Sequence, residues 1–351
     1  MIVLNGYVGV MSDITSSSAV TRLKSRIISA RALGPGILVC LTVAAAAQML
    51  SEHYHAPQML FALLLGVGFH FLSEEGPCVP GIHFCSTWLL RTGVALLGIR
   101  LTLEDVTGLG LGNVLLVIAG VGLTIIFGIG AARILGQRVR FGLLTGGAVA
   151  ICGASAALAI SSILPNSGNR ERDAIFTVIA VTTFSTIAMV IYPIMVKYLG
   201  MDDQAAGIFL GGTIHDVAQV VGAGYSISDE VGDLATIIKL FRVSMLVPVV
   251  LVLTLVFRSR SGETRGLPVP LFVIGFCALV ALNSTVAIPE ALHQGIVDTS
   301  RWCLVTAIAA LGVKTSFKAM LTIGYQPVAL ILAETIFIAG WVLLGTRWLA
   351  S

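Results

Sequence analysis

The sequence predicts an all-α, polytopic membrane protein of about ten to eleven inserted helices. Hydrophobic residues make up 56% of its 351 residues and charged residues only 11%, whereas a soluble domain carries about a quarter charged residues. Mean hydropathy is +0.97. The chain also contains 38 glycines, and Gly is more frequent in membrane helices than in soluble ones. The polar surface needed to face water is missing. The net charge of +3 is small, and the positive residues lie in short loops rather than in a patch that grips phosphates, so no nucleic-acid partner is expected.

A bilayer-crossing helix needs about 20 mainly apolar residues. Candidate segments follow in order at 34–51, 56–72, 85–100, 112–135, 142–164, 173–199, 205–224, 236–257, 267–285, 300–314 and 326–348. Connections are brief, so residues 34–351 read as one transmembrane domain behind a polar cytoplasmic leader at 1–33. Met11 opens a more ordinary polar leader than Met1, and either serves as the start. The first apolar run is followed by His and Glu rather than by small residues, so no cleavable signal is expected. Most of the six cysteines fall in apolar runs as small hydrophobes. Cys78 and Cys85 share a stretch with His83, but the spacing matches no common zinc pattern. Neither a metal nor a cofactor is expected.

Lys and Arg in short loops set orientation. Arg22, Lys24, Arg26 and Arg31 place the N-terminus in the cytoplasm. Arg133, Arg138 and Arg140, then Arg258, Arg260 and Arg265, then Lys314 and Lys318, fall on the same side. Arg170 and Arg172 join them only if the fifth and seventh segments re-enter or break. If those segments cross fully, these arginines lie outside and Asp202 and Asp203 inside. The charges favour the broken arrangement.

An internal repeat is expected. "LLGIRLTLEDV" (96–106) echoes "ALGVKTSFKAM" (310–320), pairing Gly98 with Gly312 and Arg100 with Lys314, both 214 residues apart. The two copies are separated by an odd number of crossings, so they point in opposite directions, as in many secondary transporters. Arg100 and Lys314, each just after a Gly at a helix end, suit the negative end of a helix dipole.

Two segments carry the chemistry. The fifth, "LLTGGAVAICGASAALAISSILP", holds Gly146, Gly147 and Gly153, which sustain a regular helix poorly. Either these glycines let helices pack closely, or the backbone unwinds at Ile151, Cys152, Gly153, Ala154 and Ser155 beside a cavity. The seventh, "GGTIHDVAQVVGAG", adds Thr213, His215, Asp216 and Gln219. His215 and Gln219 are spaced to share one helical face. Ionisable residues inside a membrane mark substrate or proton paths, and His titrates near physiological pH. A buried His–carboxylate pair joining two helices is the structural alternative. Lys239 and Arg242 share a face of the eighth segment near its outer end, either snorkelling to the interface or serving an anion. Arg91 flanks the third segment.

The stretches "RTGVALLGIRLT", "AICGASAALA", "GGTIHDVAQVVGAGYSIS" and "IIKLFRVSMLVP" together resemble the YeiH family of bacterial inner-membrane proteins, described as sulfate exporters. The likeness covers the chain from about residue 33. One departure is Asp216, where the family pattern has Glu, which keeps the charge but shortens its reach. The resemblance implies a fold like those of cation/proton antiporters and anion transporters, with inverted repeats and broken helices.

The expected function is therefore a bacterial inner-membrane secondary transporter, not an enzyme. Its cargo is a small anion, sulfate or a related oxyanion or sulfonate, exported with protons as the candidate coupling ion. Backbone N–H groups at the broken helices, with Ile151 to Ser155, Thr213, Gln219, Lys239 and Arg242, form the expected anion site. His215 and Asp216 are the expected proton-coupling pair. The partners are the anion and the lipid bilayer, with assembly of several copies left open. No nucleotide-binding loop appears. An anion channel and a membrane-embedded enzyme using His215 and Asp216 are the rival readings.

Overall fold

The computed structural model describes residues 32–54, 57–165, 170–257, 271–286, 288–315 and 325–350. The leader, its basic residues, Arg258, Arg260, Arg265 and Lys318 lie outside them. All described regular structure is helical. Among the described residues, seven helices are long and apolar enough to cross a membrane. We number the helices α1 Ala32–Tyr54, α2 Gln58–Gly68, α3 Val79–Arg100, α4 Leu103–Thr107, α5 Gly110–Ile134, α6 Val139–Ala150 and α7 Ala154–Ile163. There follow α8 Arg170–Tyr198, α9 Asp203–Thr213, α10 Val217–Tyr225, α11 Asp229–Phe257, α12 Leu271–Thr285, α13 Glu290–Lys314 and α14 Tyr325–Ala350.

Of the eleven expected segments, seven are these long helices. The second and ninth are the shorter α2 and α12, and the fifth and seventh are each split in two. The third begins earlier than expected, since Val79–Phe84 is already helical, so Cys78 and Cys85 bracket a helical turn rather than a loop. A π turn at Cys85–Leu89 interrupts α3.

The split segments fold back as hairpins. In the first, a Cβ on Gly147 of α6 would collide with Ile160 of α7, which two collinear helices would never bring together. Its two ends meet near the start of α8: on the α6 side Arg138 pairs with Asp173 at 2.7 Å, and on the α7 side Arg170 donates to the Leu164 carbonyl at 3.5 Å. In the second, Ala206 near the start of α9 and Ser226 after α10 line one cavity with Lys197, at the far end of α8. The 29 residues of α8 extend about 43 Å, so the hairpin bases lie at its opposite ends. Both tips meet its middle. Ser185 Oγ accepts from the His215 and Asp216 amides at 3.2 and 3.0 Å, and a Cβ on Gly153 would lie 3.6 Å from Val181.

The echo separated by 214 residues extends to whole helices: α2 with α12, α3 with α13, and α5 with α14. The paired α3 and α13 run antiparallel, with His293 Nε2 3.1 Å from the Ile99 carbonyl, Ser300 donating to Gly93 O at 2.7 Å and Lys314 donating to Ser86 Oγ at 3.3 Å. Gly98 and Gly312 do equivalent work. A Cβ on either would strike a carbonyl of the neighbouring short helix, Phe276 O on α12 or Leu63 O on α2. Gly146 and Gly147 sit in regular helix, against α5 and Ile160 respectively, so the packing reading holds for them.

Candidate functional site

Each hairpin brings a helix C-terminus and a helix N-terminus to mid-molecule. The first breaks at Ile151–Gly153, with Gly153 at φ 64° and ψ −119°, a conformation that a side chain strains. Ala154 and Ser155 already belong to the first turn of α7. The second breaks at Ile214–Asp216. His215 therefore precedes α10 and shares no helical face with Gln219, correcting that expectation. Gln219 instead donates from Nε2 to Thr186 on α8 at 2.8 Å. The Thr213 hydroxyl donates to its own helix at Phe209 O.

The orphan carbonyls at the ends of α6 and α9 have no intrahelical partner. Lys239 and Arg242 on α11 satisfy them. Lys239 Nζ donates to Ile151 O at 2.8 Å and Ile214 O at 2.9 Å. Arg242 donates from Nε to Ala150 O at 3.0 Å and from Nη2 to Val149 O and Ala150 O at 2.9 and 2.8 Å. Its Nη1 donates to Gly211 O and Ile214 O at 3.0 and 3.1 Å. A guanidinium has five N–H donors, and all five are engaged here. Arg242 thus holds the hairpins together and has no donor left for an anion, contrary to its expected role as an anion clamp. Lys239 is fully buried rather than snorkelling. Its role as one of the two hairpin-end ties is geometric, and one ammonium proton remains beyond the two carbonyls.

The two N-termini differ. Asp216 caps α10 with its carboxylate, accepting from Ala218 N at 2.9 Å. No side chain caps α7. The α7 N-terminus opens into a cavity of about 590 Å³ with a mostly apolar wall, whose polar lining is Cys152, Ser155, Asp216, Arg91 and Thr92. The Ser155 side is exposed to it. Arg91, which the sequence left as a flanking charge, lies 5.9 Å from the Trp88 ring. Trp88 belongs to the π turn of α3 and Arg91 comes just after it; such turns often mark functional positions. The four helix ends, each about half a charge, cancel in total.

His215 is fully buried, with Nε2 3.0 Å from Thr335 on α14 and Nδ1 without a hydrogen-bond partner among the described residues. It faces Gly153 across the tips, where an added Cβ on the glycine would lie 3.6 Å from the His215 Cβ. Arg100 and Lys314 each lie in the last turn of a helix, as expected, and both side chains also reach partners on other helices. Arg100 pairs with Asp229 at 3.2 Å and Asp233 at 3.4 Å and lies 5.3 Å from the Tyr225 ring. Lys314 reaches Ser86. Glu334, the one acid in α14, went unremarked in the sequence because its helix reads as an ordinary span. It is fully buried.

These helices define an all-helical, multi-pass membrane protein. The family model described as "Conserved hypothetical protein 698" matches residues 35–331. A UPF0324 membrane protein of Chlorobaculum tepidum is 54% identical over 321 residues, 90% of each chain. The UPF0324 membrane protein TauZ of Paracoccus denitrificans is 52% identical over 317 residues, 89% of this chain and 94% of its own. A UPF0324 membrane protein of Rhizobium meliloti is 53% identical over 321 residues, 90% of this chain and 93% of its own. The chain belongs to this bacterial family, the UPF0324 membrane proteins, as the YeiH resemblance implied.

Proposed function

We propose that the protein is a secondary transporter of a small oxyanion, sulfate or a sulfonate, and not an enzyme. The observation that carries this reading is the cavity at the hairpin tips. It combines the uncapped α7 N-terminus, the Ser155 hydroxyl and the Arg91 guanidinium. Backbone N–H groups at a helix start favour anions, and Arg suits oxyanions because it presents paired donors. The hairpins re-enter from opposite faces, and helices separated by 214 residues run antiparallel, which supports an inverted-repeat architecture with its site at mid-membrane. Hairpins based on the Arg138 face and on the Asp202 face also gather the basic loops on one side, supporting a cytoplasmic N-terminus. Asp216 and His215, beside the cavity, are the coupling groups for protons.

The test is competition binding on purified protein, with labelled sulfate displaced by unlabelled sulfonates, phosphate and chloride. Saturable binding that Arg91→Gln and Ser155→Ala weaken supports the site. Binding unchanged in both variants places the anion elsewhere.

A further inference from the structure

Glu334 on α14 is buried where a carboxylate finds little support. Its Oε1 lies 2.7 Å from Thr145 Oγ1 on α6, and its Oε2 has no hydrogen-bond partner among the described residues. The space for this carboxyl is made by glycine. A Cβ on Gly128 of α5 would meet Glu334 Oε1, and the Gly142 carbonyl and Gly146 Cα of α6 stand at the same crossing.

α14 packs against α5, α6, α8 and α9. Charged groups on these helices occupy their terminal turns: Arg133 ending α5, Arg140 opening α6, Arg170, Arg172 and Asp173 opening α8, Lys197 closing it, and Asp203 opening α9. Tyr192 on α8 is engaged with Phe209, its ring 5.2 Å away. Among the described residues no cation pairs with Glu334. His215, at the tip of the second hairpin, is reached through the adjacent Thr335 at 3.0 Å. An isolated carboxylate away from water is costly, whereas the neutral acid is not. The Thr145 hydroxyl suits both forms. It lies 3.1 Å from Phe141 O, so it can donate there while accepting the acid's proton, or turn its own proton to the carboxylate.

We infer that Glu334 is a proton-binding site, taking up one proton from water on a carboxylate oxygen and carrying it as the neutral acid while buried against Thr145. α14 then touches both hairpins through adjacent residues, Glu334 to an arm of the first and Thr335 to the tip of the second. A proton gained or lost at Glu334 is therefore felt where the hairpins meet. This inference rests on the transport reading for its role in a cycle, but proton binding itself is measurable without transport.

The test uses full-length protein in lipid nanodiscs, with infrared difference spectra recorded across pH. The wild type is expected to show the carbonyl stretch of a protonated carboxyl that vanishes in Glu334→Gln and returns, shifted, in Glu334→Asp. In proteoliposomes, Glu334→Gln is expected to keep sulfate counterflow and lose the part driven by an imposed pH gradient. Identical spectra in wild type and Glu334→Gln would overturn the proton site, as would gradient-driven flux at the wild-type level in that variant. If Glu334→Gln does not fold, Glu334→Asp decides: an unshifted band overturns the assignment. A wild type that moves no sulfate would defeat the transport reading while the infrared band still judged Glu334.

Discussion

Gly153 faces His215 across the gap between the two hairpin tips. A Cβ on Gly153 would stand 3.6 Å from His215 Cβ, so the tip of one hairpin has ordinary van der Waals room for a methyl group but none for a branched side chain. Gly153 also holds φ 64°, outside the range that L residues readily adopt. Gly153→Ala is therefore expected to cost about 1–3 kcal/mol through backbone strain. Gly153→Leu is expected to abolish sulfate flux by driving the tips apart. Thermal unfolding of both variants and flux of the second check this; wild-type flux in Gly153→Leu would show that the tips do not need to meet.

The Arg242 donors predict a stability effect that does not depend on substrate. Arg242→Lys keeps a charge but offers three N–H groups to five contacts, leaving buried carbonyls unpaired at about 1–3 kcal/mol each. The variant should melt lower than wild type in anion-free buffer. An unchanged melting temperature would mean that the carbonyl contacts add little and would return Arg242 to the anion.

Asp216 combines two jobs that one substitution separates. Asn caps helices about as well as Asp, so Asp216→Asn should preserve the start of α10 and the melting temperature. It removes the carboxylate beside the cavity, so the pH dependence of sulfate binding should flatten. His215→Gln should likewise flatten that dependence. Profiles matching wild type in both variants would make the pair structural.

Much of this arrangement was legible in the sequence. Glycines, a His and an Asp in apolar runs pointed to both breaks, whereas Lys239 and Arg242 were left between snorkelling to the interface and serving an anion. Their use was not legible, because the groups they bind are backbone carbonyls exposed only by helix ends, and any residue has such a carbonyl. The ion pairs of Arg100 were not legible for a related reason: its partners Asp229 and Asp233 lie far along the chain. Glu334 was missed because one acid does not disturb the hydropathy of a 26-residue helix.

Arg100 ties α3 to α11 beside a cavity of about 670 Å³ that includes Tyr225, Gln294 and Asp298. If this tie holds that face closed, Arg100→Gln should speed modification of a cysteine introduced at Gln294 by a water-soluble thiol reagent. Equal labelling rates in the two backgrounds would show that the ion pairs do not restrain the opening.

The measurement that tests the central claim most directly is labelled-sulfate counterflow in proteoliposomes containing the purified protein. Transport by a carrier with its site at the hairpin tips predicts saturable uptake driven by unlabelled anion inside, with a loss of uptake in Ser155→Trp, which would fill the cavity. Conductance without counterflow would make the protein a channel, and conversion of the anion would make it an enzyme. Either result, or uptake equal to that of empty vesicles, would contradict the account.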